Sequence, residues 1–306
     1  MTHTAVSERR LALPAREGVI DAPSITVRLF RASEPTHGTV VFLHGLGYTR
    51  RDYAFREASL VERGYHVAFY ALRGHAGGHG TFSIRGCAED LSRVLDALEG
   101  RLLQGGRKFA VVGHSTGALV ALDAARRDER IGALSVISTI TSLSDALDYV
   151  FRCGRAEECF WSLHRAAPAD LDNARHYLAR DWREGLRHAL LTESHPLRFK
   201  CRYGLLRVEN YEDFLMEVAA SPNAVQFAPA IGVPTILFCG ERDEIIDPQN
   251  TRILHDRLGQ SGDAKRLLVL DANDHFLNEH WETVVVPRSL EFFQTHLDVP
   301  RPMRSR

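Results

Sequence analysis

The sequence predicts an α/β fold: a doubly wound, mostly parallel sheet with a helical subdomain inserted into it. Three observations carry that expectation. Short apolar runs recur along the chain and alternate with segments of helical periodicity. The alternation stops over one long stretch, residues 141–225, and resumes after it. The 306 residues, 44% hydrophobic and 25% charged, are enough to bury one large core.

The elements follow in order. ITVRLFR (25–31) alternates apolar and polar residues, as a half-buried strand does. TVVFLHG (39–45), HVAFYAL (66–72), KFAVVGH (108–114), ALSVIST (133–139), PTILFCG (234–240) and KRLLVLD (265–271) are nearly continuous apolar runs. Runs of that kind suit parallel strands covered on both faces. Between them, DYAFREASLVERG (52–64) and IRGCAEDLSRVLDALEG (84–100) have helical spacing and close on a glycine. GALVALDAARRDER (117–130) ends in basic residues that complement a helix dipole. NTRILHDRLG (250–259) and WETVVVPRSLEFFQTHL (281–297) complete the set, the latter shortened or kinked by Pro287. Residues 141–225 are charged and helical in pattern, and too many for a simple connection. The expected division is therefore a core from 1–140, a helical insertion at 141–225 and the rest of the core at 226–306. SPNA (221–224) reads as the exit turn.

A formal net charge of -1 gives no general case for nucleic acid or an anionic membrane as partner. A small-molecule substrate fits better, and nothing in the pattern sets an oligomeric state. The five cysteines, at 87, 153, 159, 201 and 239, show no CxxC spacing and read as reduced thiols. MTHTAVSERRLALPAREGV lacks the apolar core of a signal peptide, and no run approaches the ~18 residues of a membrane span. A cytoplasmic location is the expectation.

The chemistry centres on GHSTG (113–117). It follows an apolar run and precedes a helical one, so Ser115 should stand at a sharp strand-to-helix corner. A serine hydroxyl needs a base, and His275 is the candidate among 15 histidines because DANDHF follows the last strand. The orienting carboxylate should come from CGERDEIIDPQN (239–250). Asp243, just past the strand, is preferred, and Asp247 before Pro248 reads as a cap. HGLG (44–47) follows a strand end, so the amides of Leu46 and Thr116 are the expected oxyanion donors. Tyr48 and His114 flank these groups and are candidates for contact with substrate, although His114, like His44, also reads as a loop-packing residue. His75 and His79 lie in a glycine-rich loop and read as polar loop residues rather than metal ligands. No metal or organic cofactor is expected.

With HGLG, LRGHAGGHG (72–80), GHSTG and the chain order Ser115, Asp243, His275 in hand, residues 25–297 resemble the α/β-hydrolase superfamily. Within it, these motifs look like the branch of monoacylglycerol lipases, lysophospholipases and related carboxylesterases. That branch commonly carries an aspartate two residues before its RGHG-like segment, where this chain has Ala71. The resemblance implies that 141–225 form a cap over the carboxyl edge of the sheet, with aromatics such as Trp161 and Trp182 holding it down or facing the substrate. It also implies hydrolysis of a carboxylic ester or thioester through an acyl-enzyme on Ser115. The same triad could serve an amide, a peptide or a carbon–carbon bond beside a carbonyl. A ligand receptor built on a hydrolase scaffold is the alternative from another class.

Overall fold

A computed structural model describes residues 7–15, 22–33, 36–75, 77–102, 108–152 and 211–297. Eight strands form one sheet: β1 Ser7–Leu13, β2 Ile25–Arg31, β3 Gly38–Leu43, β4 Tyr65–Tyr70, β5 Phe109–His114, β6 Ile131–Ile137, β7 Thr235–Gly240 and β8 Lys265–Leu270. Their order is β1-β2-β4-β3-β5-β6-β7-β8. β1 and β2 join antiparallel, as do β2 and β4, and every later pair is parallel. The central strands β4, β5, β6 and β7 are buried at every position, as their unbroken apolar runs require.

The helices are α1 Ala54–Glu62, α2 Ile84–Leu102, α3 Thr116–Ala125, α4 Leu143–Arg152, α5 Tyr211–Ala220, α6 Ala224–Phe227, α7 Pro248–Arg257 and α8 Val286–His296. They cover both faces. Val41 and Leu43 of β3 pack with α2, α3, α4 and α7 on one side. Val40 and Phe42, pointing the other way along the pleat, pack with α1 and α8. Pro287 follows directly on a π turn over Trp281–Val285, so regular α-helical bonding begins only at Val286 and the expected irregularity at the proline takes the form of that wider turn.

One strand escaped the sequence. SERRLAL (7–13) is polar over its first half, and it is held at the sheet edge by its backbone ladder to β2 and by Leu11 and Leu13 packing against the core. The Arg28 guanidinium on β2 also reaches Glu8 at 2.9 Å. Charged side chains on such an edge discourage pairing with another chain. Of the expected insertion, only the flanking helices α4 and α5 and the short turn into α6 are described. The cap as a unit, Trp161, Trp182, Cys153, Cys159 and Cys201 lie outside the described residues.

The loop after β4 is anchored by a buried ion pair. Arg73 donates from Nε and Nη2 to the two carboxylate oxygens of Asp90 on α2, each at 2.9 Å. Gly86, one turn earlier on α2, leaves the space that the guanidinium occupies. Truncating Asp90 to alanine removes both carboxylate acceptors from a buried guanidinium, so urea unfolding should show a loss of about 3–5 kcal/mol. A loss under about 1 kcal/mol would mean the pair is not holding this loop.

Candidate active site

The carboxyl ends of β3, β5, β7 and β8 gather the candidate residues. Ser115 lies between β5 and α3 at φ 55 and ψ -119, a conformation that costs a residue bearing a Cβ. The surroundings enforce it. The Ser115 amide donates to the carbonyl of Ile137 at the end of β6, at 2.9 Å. A Cβ on Gly113 would lie 2.6 Å from the Cα of Ala118, and one on Gly117 would lie 2.5 Å from the carbonyl oxygens of Leu43 and His44. The two glycines of GHSTG thus let α3 press onto β5 and onto the end of β3. That packing is the physical reason for their spacing around the serine.

Thr116 is the first residue of α3, where amides have no carbonyl within the helix to donate to. Leu46 sits in a turn closed by the Tyr48 amide on the Gly45 carbonyl at 3.2 Å, with Gly47 at φ 74. A Cβ on Gly45 would come within 3.1 Å of the Ser115 Cβ, so this turn packs directly against the serine. Tyr48 stays half-exposed there, its ring edge-on to Phe276 at 4.8 Å.

His275 lies in the loop after β8 and Asp243 in the turn after β7. Nδ1–H of His275 donates to the Asp243 carboxylate, 3.0 and 3.1 Å from its two oxygens. Both residues are buried. Asp243 Oδ1 also accepts from the amides of Ile245 and Ile246 at 2.8 and 3.1 Å, and the Tyr149 hydroxyl on α4 donates to the Asp243 carbonyl at 3.0 Å. Asp247 does something else: it accepts from the Gln249 amide at 2.9 Å and caps α7. Among the described residues the other ring nitrogen of His275, Nε2, is buried without a partner, and the Ser115 hydroxyl is not bonded to it. Catalytic hydrogen bonds of free enzymes often tighten only when substrate arrives.

His114 is not where a substrate contact would be. Its ring is 2% exposed and both nitrogens are occupied. Nε2–H donates to the His275 carbonyl at 3.0 Å, and Nδ1 accepts from the Tyr53 hydroxyl at 2.7 Å. Tyr53 in turn accepts from the Gly45 amide at 2.9 Å. Burial holds His114 well below the usual histidine range, so it stays neutral in this tautomer. One chain of hydrogen bonds therefore joins the HGLG turn, the residue before Ser115 and the loop of His275.

A second strut is Arg56 on α1. Its Nη1 donates to the Asp52 carbonyl at 2.9 Å and its Nη2 to Asn278 Oδ1 at 2.6 Å, with the Phe276 and Trp281 rings at 4.9 and 5.0 Å. Burial lowers it to about 10, which leaves it charged at neutral pH. Tyr53, Arg56 and Tyr149 were invisible in the sequence as site residues, because no local pattern marks them.

Of the other histidines, His44 donates from Nδ1 to the Gly45 carbonyl at 2.8 Å and accepts at Nε2 from the Leu72 amide at 2.9 Å. Burial pushes it down to about 4. His75 departs from the polar-loop expectation: it is buried against His44 and Phe82, and burial pushes it to about 3. His79 is exposed. Among the described residues no cluster of three or more potential metal ligands occurs.

The model of the Alpha/beta hydrolase family matches residues 40–287. Epoxide hydrolase A of Mycobacterium tuberculosis is 29% identical over 161 residues, a match spanning 51% of this chain and only about half (49%) of that protein. RutD of Cronobacter sakazakii, provisionally named a carbamate hydrolase, is 26% identical over 82% of this chain and 89% of its own. Among solved structures, an esterase of Pyrococcus furiosus superposes with a TM-score of 0.64 at 17% identity, covering 95% of this chain and 92% of that one. A likeness at that identity speaks to the fold.

Proposed function

The chain belongs to the alpha/beta hydrolase family, and on that premise we propose that it is a serine hydrolase acting on a carboxylic ester or thioester. The observation that carries the reading is the buried His275–Asp243 pair, whose Nε2 has no partner among the described residues, at the same sheet edge as the strained Ser115. In the reaction, Ser115 Oγ adds to the carbonyl carbon as His275 Nε2 takes its proton. The carbonyl π pair moves to oxygen, and that oxyanion is met by the amides of Leu46 and Thr116. Collapse re-forms the carbonyl and expels the alcohol or thiol, which leaves with the proton from His275. Water repeats the steps on the acyl-enzyme and frees the acid. Asp243 keeps the proton of neutral His275 on Nδ1 and stabilises the imidazolium.

The similarity to RutD over most of both chains supports a second reading, in which the carbonyl is that of a carbamate. The same steps serve it. An epoxide has no carbonyl for the two amides to stabilise, and its opening here would lack a carboxylate nucleophile at position 115. Free, buried Cys87 and Cys239 are in keeping with a cytoplasmic setting, and among the described residues no helix is long and apolar enough to cross a membrane.

A panel of esters, thioesters and carbamates with matched acyl groups tests the proposal. Esters or thioesters should give the highest kcat/KM. Turnover confined to carbamates would favour the second reading, and no turnover of any would contradict both. Within the same assay, Tyr53→Phe should lower kcat about 10- to 100-fold with KM changed less than threefold. It removes the hydroxyl that aligns the Gly45 amide and His114, a disturbance worth about 1–3 kcal/mol. Unchanged kcat would show that this chain of bonds does not position the reacting groups.

A further inference from the structure

A cavity of about 450 Å³ opens beside the oxyanion turn and has no part in the steps above. Arg28 of β2 and Arg50 and Arg51, which follow the turn, line it together with Phe69, Tyr70 and Ala71 at the end of β4. Strand register sets its place. Phe42 of β3 pairs with Phe69 on one side and with Val112 of β5 on the other. Residues 70 and 71 therefore run level with Gly113 and His114, two strands from the serine, a lateral separation of about 10 Å.

The charge of the lining is one-sided. Among the described residues it contains three arginines and no carboxylate. Glu8 pairs with Arg28 at 2.9 Å from β1, and Asp52 is occupied by the Thr49 amide and hydroxyl at 2.8 and 3.1 Å. Glu57 accepts from Arg50 at 2.8 Å but lies behind it, with its side chain only 2% exposed. Burial pushes Glu57 up to about 8, which weakens the charge it sets against Arg50. Arg51 is exposed and has no ion-pair partner among the described residues. Ala71 adds no charge.

We propose that this cavity receives an oxyanion, carboxylate or phosphate, carried at the far end of the substrate whose carbonyl meets Ser115. Guanidinium groups bind such oxyanions through paired charge-assisted hydrogen bonds. The inference rests on the hydrolase reading for the position of the carbonyl. A separation of about 10 Å corresponds to an extended chain of roughly eight bonds between the scissile carbonyl and the anion.

Two measurements on the full chain test it. Kinetics compare mono-4-nitrophenyl suberate with 4-nitrophenyl octanoate, and mono-4-nitrophenyl succinate with the butyrate. Acetate esters of 8-hydroxyoctanoate and of octanol pose the same question on the alcohol side. The long anionic ester should exceed its neutral match at least tenfold in kcat/KM on one of the two sides, while the short succinate, unable to reach, should show no such preference. The preference should shrink about tenfold in the Arg28→Gln/Arg51→Gln variant and weaken with added salt. Calorimetry with suberate and with octyl phosphate reads the cavity without turnover, and the tighter of the two identifies the oxyanion. Binding in the wild type that weakens about tenfold in the variant supports the cavity even if no ester is cleaved, an outcome that would sink the hydrolase reading alone. Equal rates for charged and neutral long esters, or anion binding untouched by the variant, would overturn the inference.

Discussion

Ser115→Ala is expected to lower ester turnover at least about ten-thousandfold while leaving the fold intact. On the proposed mechanism the loss is large because His275, Asp243 and the two amides have no attacking atom to serve once Oγ is gone. What survives is oxyanion stabilisation and binding alone. The fold should tolerate the change because alanine keeps the same Cβ in the same φ 55 corner, and Gly113, Gly117 and the bond to Ile137 are untouched. Steady-state kinetics beside a melting curve decide it. A variant that melts like the wild type and keeps more than about a hundredth of its turnover would remove Ser115 from the mechanism.

Asp243→Asn should cost about as much, for a different reason. The asparagine oxygen can still accept from the amides of Ile245 and Ile246. Its amide group then faces His275 Nδ1, so that nitrogen must accept and the proton moves to Nε2. A protonated Nε2 cannot take the Ser115 proton. Turnover should fall about ten-thousandfold, with the melting temperature nearly unchanged. Asp247→Asn is the matched control, since Asp247 caps α7 and asparagine caps as well. If Asp247→Asn lost activity and Asp243→Asn kept it, the orienting carboxylate would be the wrong one.

The parts legible in the sequence are those that a strand end announces. Ser115, Asp243 and His275 each follow a short apolar run, so parallel strands necessarily deliver them to one edge. The struts behind them are not legible. Tyr53 and His114 are 61 residues apart, and nothing in the periodicity around α1 says that a tyrosine at its start will reach the residue before Ser115. Arg56 and Tyr149 likewise act across the fold, from helices whose spacing reports only their own amphipathic faces. β1 is not legible because only Leu11 and Leu13 of its seven residues pack on the core and its backbone ladder does the rest, and His75 because its glycine-rich loop folds inward against His44. Arg28, Arg50 and Arg51 become one lining only when β2 is laid beside β4.

Covalent labelling tests the central claim most directly. A fluorophosphonate should add once per chain, with fluoride leaving and the phosphonyl group mapping by peptide mass to Ser115. The label should vanish in Ser115→Ala and slow sharply in Asp243→Asn. A wild type that resists the reagent, or a label that maps to another residue, would contradict the account.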